Sequence, residues 1–205
     1  SDLLGANFAT VNHLLINALV LDAFQEVLPG TQGNLVYFIS HNIARLEPVG
    51  PLTQDSGLRT RDSKMAWVHR KGATRAFPAG HPQLANTPFA ATGHPILLPG
   101  NPQAGSAVMV ATAGAAKSAY SINHGAGRVK GRRAAIREFD QKQIDQSFHD
   151  ADILTNCRQY PKDEAPAAYK DFNEVLKSVA TADLAQEVAR LKARFVIKDS
   201  DKADD

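Results

Sequence analysis

The chain has 205 residues, of which 43% are hydrophobic and 21% charged, and its formal net charge is only +2. These values are ordinary for a soluble globular protein, and any nucleic-acid surface must come from local basic patches. The one cysteine, Cys157, excludes an internal disulfide framework and a CxxC zinc site. With no signal segment and no apolar run near 18 residues, the sequence predicts a cytoplasmic protein that does not contact membranes.

The first third of the chain carries one predicted helix and one predicted strand. Residues 5–28 place apolar side chains near helical spacing, which predicts an amphipathic helix. The stretch LVYFIS, residues 35–40, is rich in β-branched and aromatic residues and predicts a buried strand. Residues 47–63 are predicted to be irregular. The chain begins almost inside its first helix and without methionine, so it is either a trimmed small domain or a piece of a longer protein.

The middle of the chain alternates strands and turns. Residues 64–75, KMAWVHRKGATR, predict a strand running into a basic turn. Residues 77–95 form a Pro/Gly-rich loop. The segments ILLPG (96–100) and SAVMVATAG (106–114) predict two strands joined by a polar turn.

The last third is mostly helical by pattern. Residues 131–151 predict one helix, and residues 164–180 predict another that starts near Glu164 and Pro166. Residues 182–198 are compatible with a helix throughout or with a helix that gives way to a strand. The tail at 199–205 is acidic and predicted to be disordered. This irregular mixture predicts an α+β fold with mixed sheets and flanking helices.

The stretch SINHGAGRVKGRR, residues 121–133, carries the strongest chemical pattern. Gly125 and Gly127 would let backbone N–H groups approach a phosphate, and four basic side chains follow within six residues. A neutral His124 beside that phosphate could attack phosphorus. A tight turn with a structural histidine, followed by a solvated basic helix face, explains the same residues, and the pattern alone leaves both readings open.

Two further segments add to this pattern. The basic turn HRKGATR contains Arg70 and Lys71, which makes a polyanionic substrate more plausible than a neutral one. The turn PGNPQAGS offers hydrogen-bond donors from Asn101 and Ser106 but lacks the lysine of a Walker loop. His41 resembles His124 in standing where an apolar, strand-like run ends.

Several of these segments together resemble the RtcB family of RNA ligases. They are NHGAGR at 123–128, HNIARLE at 41–47, VHRKGATRAFPAG at 68–80, the helix near the start of the chain and the final segment EAPAAYKDFNEVLKSV…VARLKARFVIK. The resemblance covers residues 5–198 in the family's order. It implies that residues 1–198 are the C-terminal part of a larger single ligase fold, followed by the acidic tail.

The resemblance implies a ligase that uses GTP and manganese to join RNA ends. These are a 3′-phosphate or 2′,3′-cyclic phosphate and a 5′-hydroxyl, as in tRNA splicing and RNA repair. His124 would be the nucleophile that carries GMP, and His41 a manganese ligand. Nucleotide contacts are expected for Asn101, Ser106, Gly125, Ala126, Gly127, Tyr169 and Lys198. Contacts with RNA or phosphate are expected for Arg70, Lys71, Arg128 and Arg132.

The same resemblance implies that the chain works with a companion. Family members are about twice as long, and their N-terminal half supplies most of the metal ligands. We therefore expect the missing N-terminal half as a partner. Two alternatives stay open. One is a non-catalytic RNA-binding remnant, and the other is a divergent branch that repairs ribosomal or transfer RNA, with which Asn101 and Ala107 are compatible because the family commonly has serine and tyrosine there.

Overall fold

The protein is described here in a computed structural model that covers residues 2–49 and 64–198. The helices of this part of the chain are α1 (Asp2–Val27), α2 (Arg132–Glu138), α3 (Gln141–Asp150) and α4 (Phe172–Thr181). The strands are β1 (Asn42–Val49), β2 (Lys64–Lys71), β3 (Ala73–Arg75), β4 (Pro95–Asn101), β5 (Gly105–Ala111), β6 (Ser121–Asn123), β7 (Leu154–Thr155), β8 (Ala185–Leu191) and β9 (Phe195–Val196). Small sheets mixed with helices confirm the α+β class.

The central sheet has three antiparallel strands in the order β4-β5-β8. The side chains of β5 alternate between buried and half-buried, as expected for a strand with one face on a core. The predicted hairpin at 96–114 is confirmed by the pairing of β4 with β5. Residues 182–198 form no helix; β8 and β9 lie in this segment, and β8 pairs with β5.

The other strands form three two-stranded pairs. β1 and β2 are antiparallel and pair from Asn42 with Lys71 to Val49 with Lys64. β3 is antiparallel to β6, and β7 is parallel to β9. The predicted strand that begins at residue 64 is present as β2. The basic turn predicted after it is confined to Gly72, because β3 follows directly.

Two apolar cores hold these elements together. The larger packs the inner face of the central sheet against α4 and the loop before β4, with Phe77, Leu98 and Met109 all 1% exposed or less. The smaller lies under α3 and contains Phe148 and Tyr160, whose ring centroids are 4.1 Å apart. Burial of a large apolar side chain contributes about 1.5–3 kcal/mol, so these clusters account for much of the stabilisation.

Two predictions near the start of the chain are wrong in part. The helix is present, but it is not amphipathic. Leu15 and Phe24 fall on opposite sides of it at 100° per residue, and both are more than half exposed. Residues 35–40 form no strand, and Leu35 and Val36 are exposed. A strand needs a hydrogen-bonding neighbour, which a local apolar run does not supply.

The helices predicted at 131–151 and 164–180 differ from the observed ones. The first is interrupted, because Phe139 is extended and the Asp140 carboxylate caps α3 by accepting a hydrogen bond from the Gln143 N–H at 2.9 Å. The second begins at Phe172 rather than near Glu164, after Asp171 caps it in the same way. Short 3₁₀ turns occupy 162–164 and 166–168 instead.

Two features bear on the remaining predictions. Among the described residues, the helices are all too short or too polar to cross a membrane. The predicted acidic tail at 199–205 and residues 50–63 of the segment predicted to be irregular lie outside the described residues. Residues 47–49 of that segment are part of β1, so the prediction is wrong there.

Candidate nucleotide and RNA-end site

Gly72, in the turn between β2 and β3, brings two distant histidines together. Its N–H donates to the His41 carbonyl at 2.9 Å, and its carbonyl accepts from the His124 N–H at 3.0 Å. The glycine has φ of +66°, a conformation that other residues adopt at a cost. The two imidazoles stack with centroids 4.0 Å apart and planes 5° from parallel. The glycine of the basic turn is therefore a scaffold that joins His41 to His124.

The segment after His124 lies against β4. The Ala126 N–H donates to the Pro99 carbonyl at 3.0 Å, and Lys170 N–H donates to the Gly127 carbonyl at 3.0 Å. A Cβ on Gly125 would lie 3.3 Å from the Pro99 oxygen, which is tighter than an ordinary contact. Gly127 has φ of +75°. Glycine is thus favoured at 125 by the close approach to Pro99 and at 127 by the backbone conformation, while the N–H of Ala126 between them is already bonded.

The turn between β4 and β5 forms the opposite wall. The Asn101 side-chain oxygen accepts from the N–H groups of Gln103 and Ala104 at 3.0 and 2.9 Å, an arrangement that stabilises the turn. Gly105 has φ of +79° and packs its Cα against the backbone of Leu191 in β8. Ser106 follows and is half-buried.

A cavity of about 630 Å³ lies between these segments. Nine residues expected from the sequence to bind nucleotide, RNA or phosphate, or to act as nucleophile, line it: Asn101, Ser106, His124, Gly125, Ala126, Gly127, Arg132, Tyr169 and Lys198. They come from four separate stretches of the chain. The volume is in the usual range for small-molecule sites.

One carboxylate, that of Glu164, organises the charged side of this cavity. It accepts a hydrogen bond from the Tyr169 hydroxyl at 2.6 Å and one from the Lys198 ammonium at 3.3 Å, both at Oε2. Its other oxygen, Oε1, pairs with the Arg132 guanidinium, and the Arg128 Nη1 lies 3.7 Å from it. The Glu164 side chain is only 18% exposed. Three cationic groups and a phenol therefore converge on a single anionic group.

The same contacts set two pKa values. Burial acts to raise the pKa of the Glu164 carboxyl, but the Tyr169 hydroxyl, Lys198 and Arg132 together hold it below its ordinary value. Burial, and next the hydrogen bond to Glu164, raise the pKa of Tyr169 to about 12. At neutral pH the cavity therefore presents a carboxylate and a protonated phenol side by side.

The surroundings of His124 favour the neutral form of its imidazole. Burial, and next the neighbouring His41, lower the pKa of His124 below its ordinary value. Its Nδ1 is buried and forms no hydrogen bond with any described residue. The ring is consequently mainly neutral at pH 7.

Three of the predicted phosphate-binding side chains lie outside the cavity wall. Arg70 is 3% exposed, and its guanidinium donates to Glu47 at 2.7 Å and to the Ser121 hydroxyl at 3.0 Å. This placement does not fit the expected phosphate contact, because the guanidinium is buried and bonded to groups of the protein itself. Lys71 is exposed at the end of β2. Arg128 lies over the Tyr169 ring, 4.9 Å from its centroid, and hydrogen-bonds the carbonyls of Lys130 and Asp163.

The described residues do not form a metal centre by themselves. No group of three or more His, Cys, Asp or Glu side chains in residues 2–49 and 64–198 is arranged to hold an ion. His41 offers one imidazole, stacked on His124. A manganese ion would need further ligands from elsewhere, so no chemical step is derived from one here.

Sequence reasoning missed two residues that shape the site. The sequence pattern predicts Glu164 only as the start of a helix and predicts no role for Asn156. Asn156 hydrogen-bonds both backbone groups of Lys198, 42 residues away. The position of the acidic residue Glu164, five residues before Tyr169, was a usable signal in the sequence, whereas no local sequence pattern marks Asn156.

Comparisons with known proteins place this arrangement in a family. A family profile described as "tRNA-splicing ligase RtcB" matches residues 3–199. Proteins named tRNA-splicing ligase RtcB are similar: that of Pyrococcus horikoshii is 37% identical over 201 residues, and that of Thermococcus kodakarensis is 34% identical over 200. The RNA-splicing ligase RtcB of Mycobacterium bovis is 36% identical over 188 residues.

These alignments cover most of the chain but a minor part of each relative. They include 94% of the chain for the two archaeal proteins and 91% for the mycobacterial one. The chain spans 22%, 40% and 41% of the length of those relatives, respectively. Because the family profile extends over almost the whole chain, the chain belongs to the RtcB family of tRNA-splicing ligases.

Proposed function

We propose that this chain carries the nucleophile and the nucleotide pocket of a GTP-dependent RNA ligase. The observation that carries the proposal is that His124 and Lys198, 74 positions apart, line one cavity of about 630 Å³ together with Ser106 and Tyr169. A neutral histidine beside a pocket of hydrogen-bond donors and cations suits transfer of a nucleotide.

The first step would be attack of the His124 ring nitrogen on the α-phosphorus of GTP. The unprotonated ring nitrogen forms a P–N bond through its lone pair, the P–O bond to the β-phosphate breaks, and pyrophosphate leaves. The cationic ring that results is neutralised when its other nitrogen releases its proton to water. The N–H groups of Gly125 and Gly127 would approach the phosphates, and Arg132 would counter their charge. Arg132 would have to leave its present partners Asp163 and Glu164 at least in part.

The later steps would pass GMP to RNA. An oxygen of the RNA 3′-phosphate attacks the phosphorus of the histidine adduct and displaces His124. The 5′-hydroxyl of the second RNA end then attacks the activated 3′-phosphate, and GMP leaves. A 2′,3′-cyclic phosphate end would first have to be opened by water. The exposed Lys71 would attract the RNA backbone in a salt-dependent manner.

Manganese and a companion half complete the proposal. His41 would supply one manganese ligand, and the other ligands would come from outside the described residues. A manganese ion bound there would stabilise negative charge on the phosphates. We infer that an N-terminal half of the RtcB type supplies the missing ligands.

The test is adduct formation with α-labelled GTP and Mn²⁺ in this chain combined with such an N-terminal half. The wild-type chain should become labelled, and His124→Ala should not, although it should fold. Lys198→Ala should weaken the use of GTP and spare RNA binding. Labelling of the His124→Ala chain would show that the nucleophile is misassigned.

The alternative of a non-catalytic RNA-binding remnant has one observation in its favour. The described residues contain no cluster of three metal-binding side chains. A remnant would bind RNA with a salt-dependent affinity but give no labelled adduct even with the N-terminal half present. The same experiment therefore separates the two functions.

A further inference from the structure

Lys198 lies at the end of a segment that has few contacts to hold it. β9 pairs with β7 over only two residues, Leu154 with Phe195 and Thr155 with Val196. Phe195 is 71% exposed and Ile197 is 79% exposed, whereas Val196 between them packs against the smaller core. Beyond Val196, the position of the chain depends on a small number of polar contacts.

Asn156 makes two of these contacts with the backbone of Lys198 itself. The side-chain nitrogen of Asn156 donates to the Lys198 carbonyl at 2.8 Å, and the side-chain oxygen accepts from the Lys198 N–H at 2.9 Å. The Asn156 side chain thus extends the contact between β7 and β9 to Lys198, two positions beyond the last paired residue of β9. Fixing both backbone groups of a residue fixes the direction of its Cα–Cβ bond.

The chemistry of the contact requires an amide side chain. A carboxamide has a donor and an acceptor on neighbouring atoms, which match the N–H and C=O of one residue. An aspartate would set a second carboxylate oxygen against the Lys198 carbonyl, and an alanine would make neither bond. Beyond the backbone, the Lys198 ammonium reaches Glu164 at 3.3 Å.

We propose that Asn156 is a positioning residue that sets Lys198 in the cavity for contact with the nucleobase. This inference rests on the proposed function for the role of Lys198, but the structural part of it does not. Asn156 acts through Lys198 and is absent from the cavity wall.

The first arm of the test measures amide exchange of Lys198 by NMR in the full chain. Asn156→Ala and Asn156→Asp should each speed the exchange of the Lys198 amide by about tenfold or more, because a hydrogen bond is lost. Asn173→Ala is the matched control, since Asn173 is also exposed and accepts a hydrogen bond from Arg190 at 3.0 Å. It should leave Lys198 unchanged. Equal exchange in the wild-type and Asn156→Ala chains would overturn the inference, whatever the nucleotide result.

The second arm is a double-mutant cycle on GTP binding, with ATP as the comparison nucleotide, measured in the full chain combined with the N-terminal half and Mn²⁺. Asn156→Ala should weaken GTP binding about tenfold, reduce the preference for GTP over ATP, and have no added effect in a Lys198→Ala background. Independent effects of the two substitutions would contradict a positioning role. If the wild-type chain binds neither nucleotide, the proposed function fails, and the exchange measurement still decides whether Asn156 positions Lys198.

Discussion

The imidazole rings of His41 and His124 lie face to face, with centroids 4.0 Å apart. Two protonated imidazoles in that position would repel each other, so His41 favours the neutral form of His124. The pair therefore connects the residue expected to bind metal with the residue expected to bind GMP. It also favours the neutral form of His124, the residue proposed as the nucleophile.

This relationship predicts the titration of His124. Because the neighbouring His41 is the second cause of its lowered pKa, His41→Ala should raise the pKa of His124 towards the ordinary value of about 6.5. Imidazole NMR titration of the full chain measures the change directly. The exposed His149, changed to alanine, is the control and should leave the titration of His124 unaltered. An unchanged pKa in His41→Ala would mean that burial alone sets it.

A second prediction concerns acid stability. Burial lowers the pKa of His81 and of His94 to about 4. In the unfolded chain these histidines take up protons near pH 6.5, whereas in the folded chain they stay neutral until about pH 4. The free energy of unfolding should therefore fall as the pH falls through that window, by roughly 3 kcal/mol per histidine at its lower end.

Urea denaturation between pH 7.5 and 4.5 tests this dependence. His94→Phe should flatten the curve, because it removes one of the two titrating imidazoles. The phenylalanine ring can keep the contact with Phe77, and the substitution removes the buried Nδ1, which has no partner among the described residues. His149→Asn should leave the curve unchanged, since His149 is exposed. A wild-type curve that is flat between pH 6.5 and 4.5 would contradict the prediction.

The buried ion pair of Arg70 with Glu47 gives a third prediction. Both side chains are less than 10% exposed, and Arg75 approaches the same carboxylate at 3.5 Å. Glu47→Gln would leave the Arg70 charge buried without its partner and should lower the free energy of unfolding by about 3–5 kcal/mol. The exposed pair of Arg190 with Glu187 is the control: Glu187→Gln should cost less than about 1 kcal/mol.

The double variant Glu47→Leu/Arg70→Met removes both charges, and it tests whether the ion pair affects stability alone or RNA binding as well. It should recover much of the stability lost in Glu47→Gln, because the unpaired charge is removed. Chemical denaturation measures each value. If the double variant is as stable as the wild-type chain but has lost RNA affinity, Arg70 contacts the polyanion after all.

A fourth prediction tests the wall of the cavity formed by the β4–β5 turn. A Cβ on Gly105 would lie 2.0 Å from the Leu191 carbonyl oxygen, and φ there is +79°. Gly105→Ala should therefore push β8 away from β5 and lower the free energy of unfolding by roughly 3 kcal/mol or more. Gly131→Ala is the matched control because nothing lies within 4 Å of its Cβ position. A stable Gly105→Ala chain with native amide exchange in β8 would contradict this packing.

The sequence predicted local elements well and their partners poorly. The hairpin of β4 and β5 followed from a short turn between two apolar runs. Residues 35–40 have the composition of a strand but pair with no strand among the described residues. The segment of β8 contains many helix formers, yet it extends along β5, because backbone pairing outweighs a weak local preference.

The candidate site was predicted in the same uneven way. Gly125 and Gly127 predicted a close backbone approach by their residue type alone, and the structure gives Gly125 a tight path against β4 and Gly127 a positive φ. The sequence pattern could not predict contacts between distant segments, such as that of Glu164 with Lys198, 34 residues apart, or that of Asn156 with Lys198. The roles of the residues in catalysis stay predictions.

The exposed apolar side chains of α1 have a consequence for the behaviour of the chain in solution. Phe8 and Val27 are 77% and 78% exposed, and the apolar residues between them lie on all sides of the helix. A monomeric protein rarely leaves so much apolar surface in water. Preparations of the isolated chain should bind the dye ANS at neutral pH, scatter light increasingly with concentration, and show a melting temperature that depends on concentration.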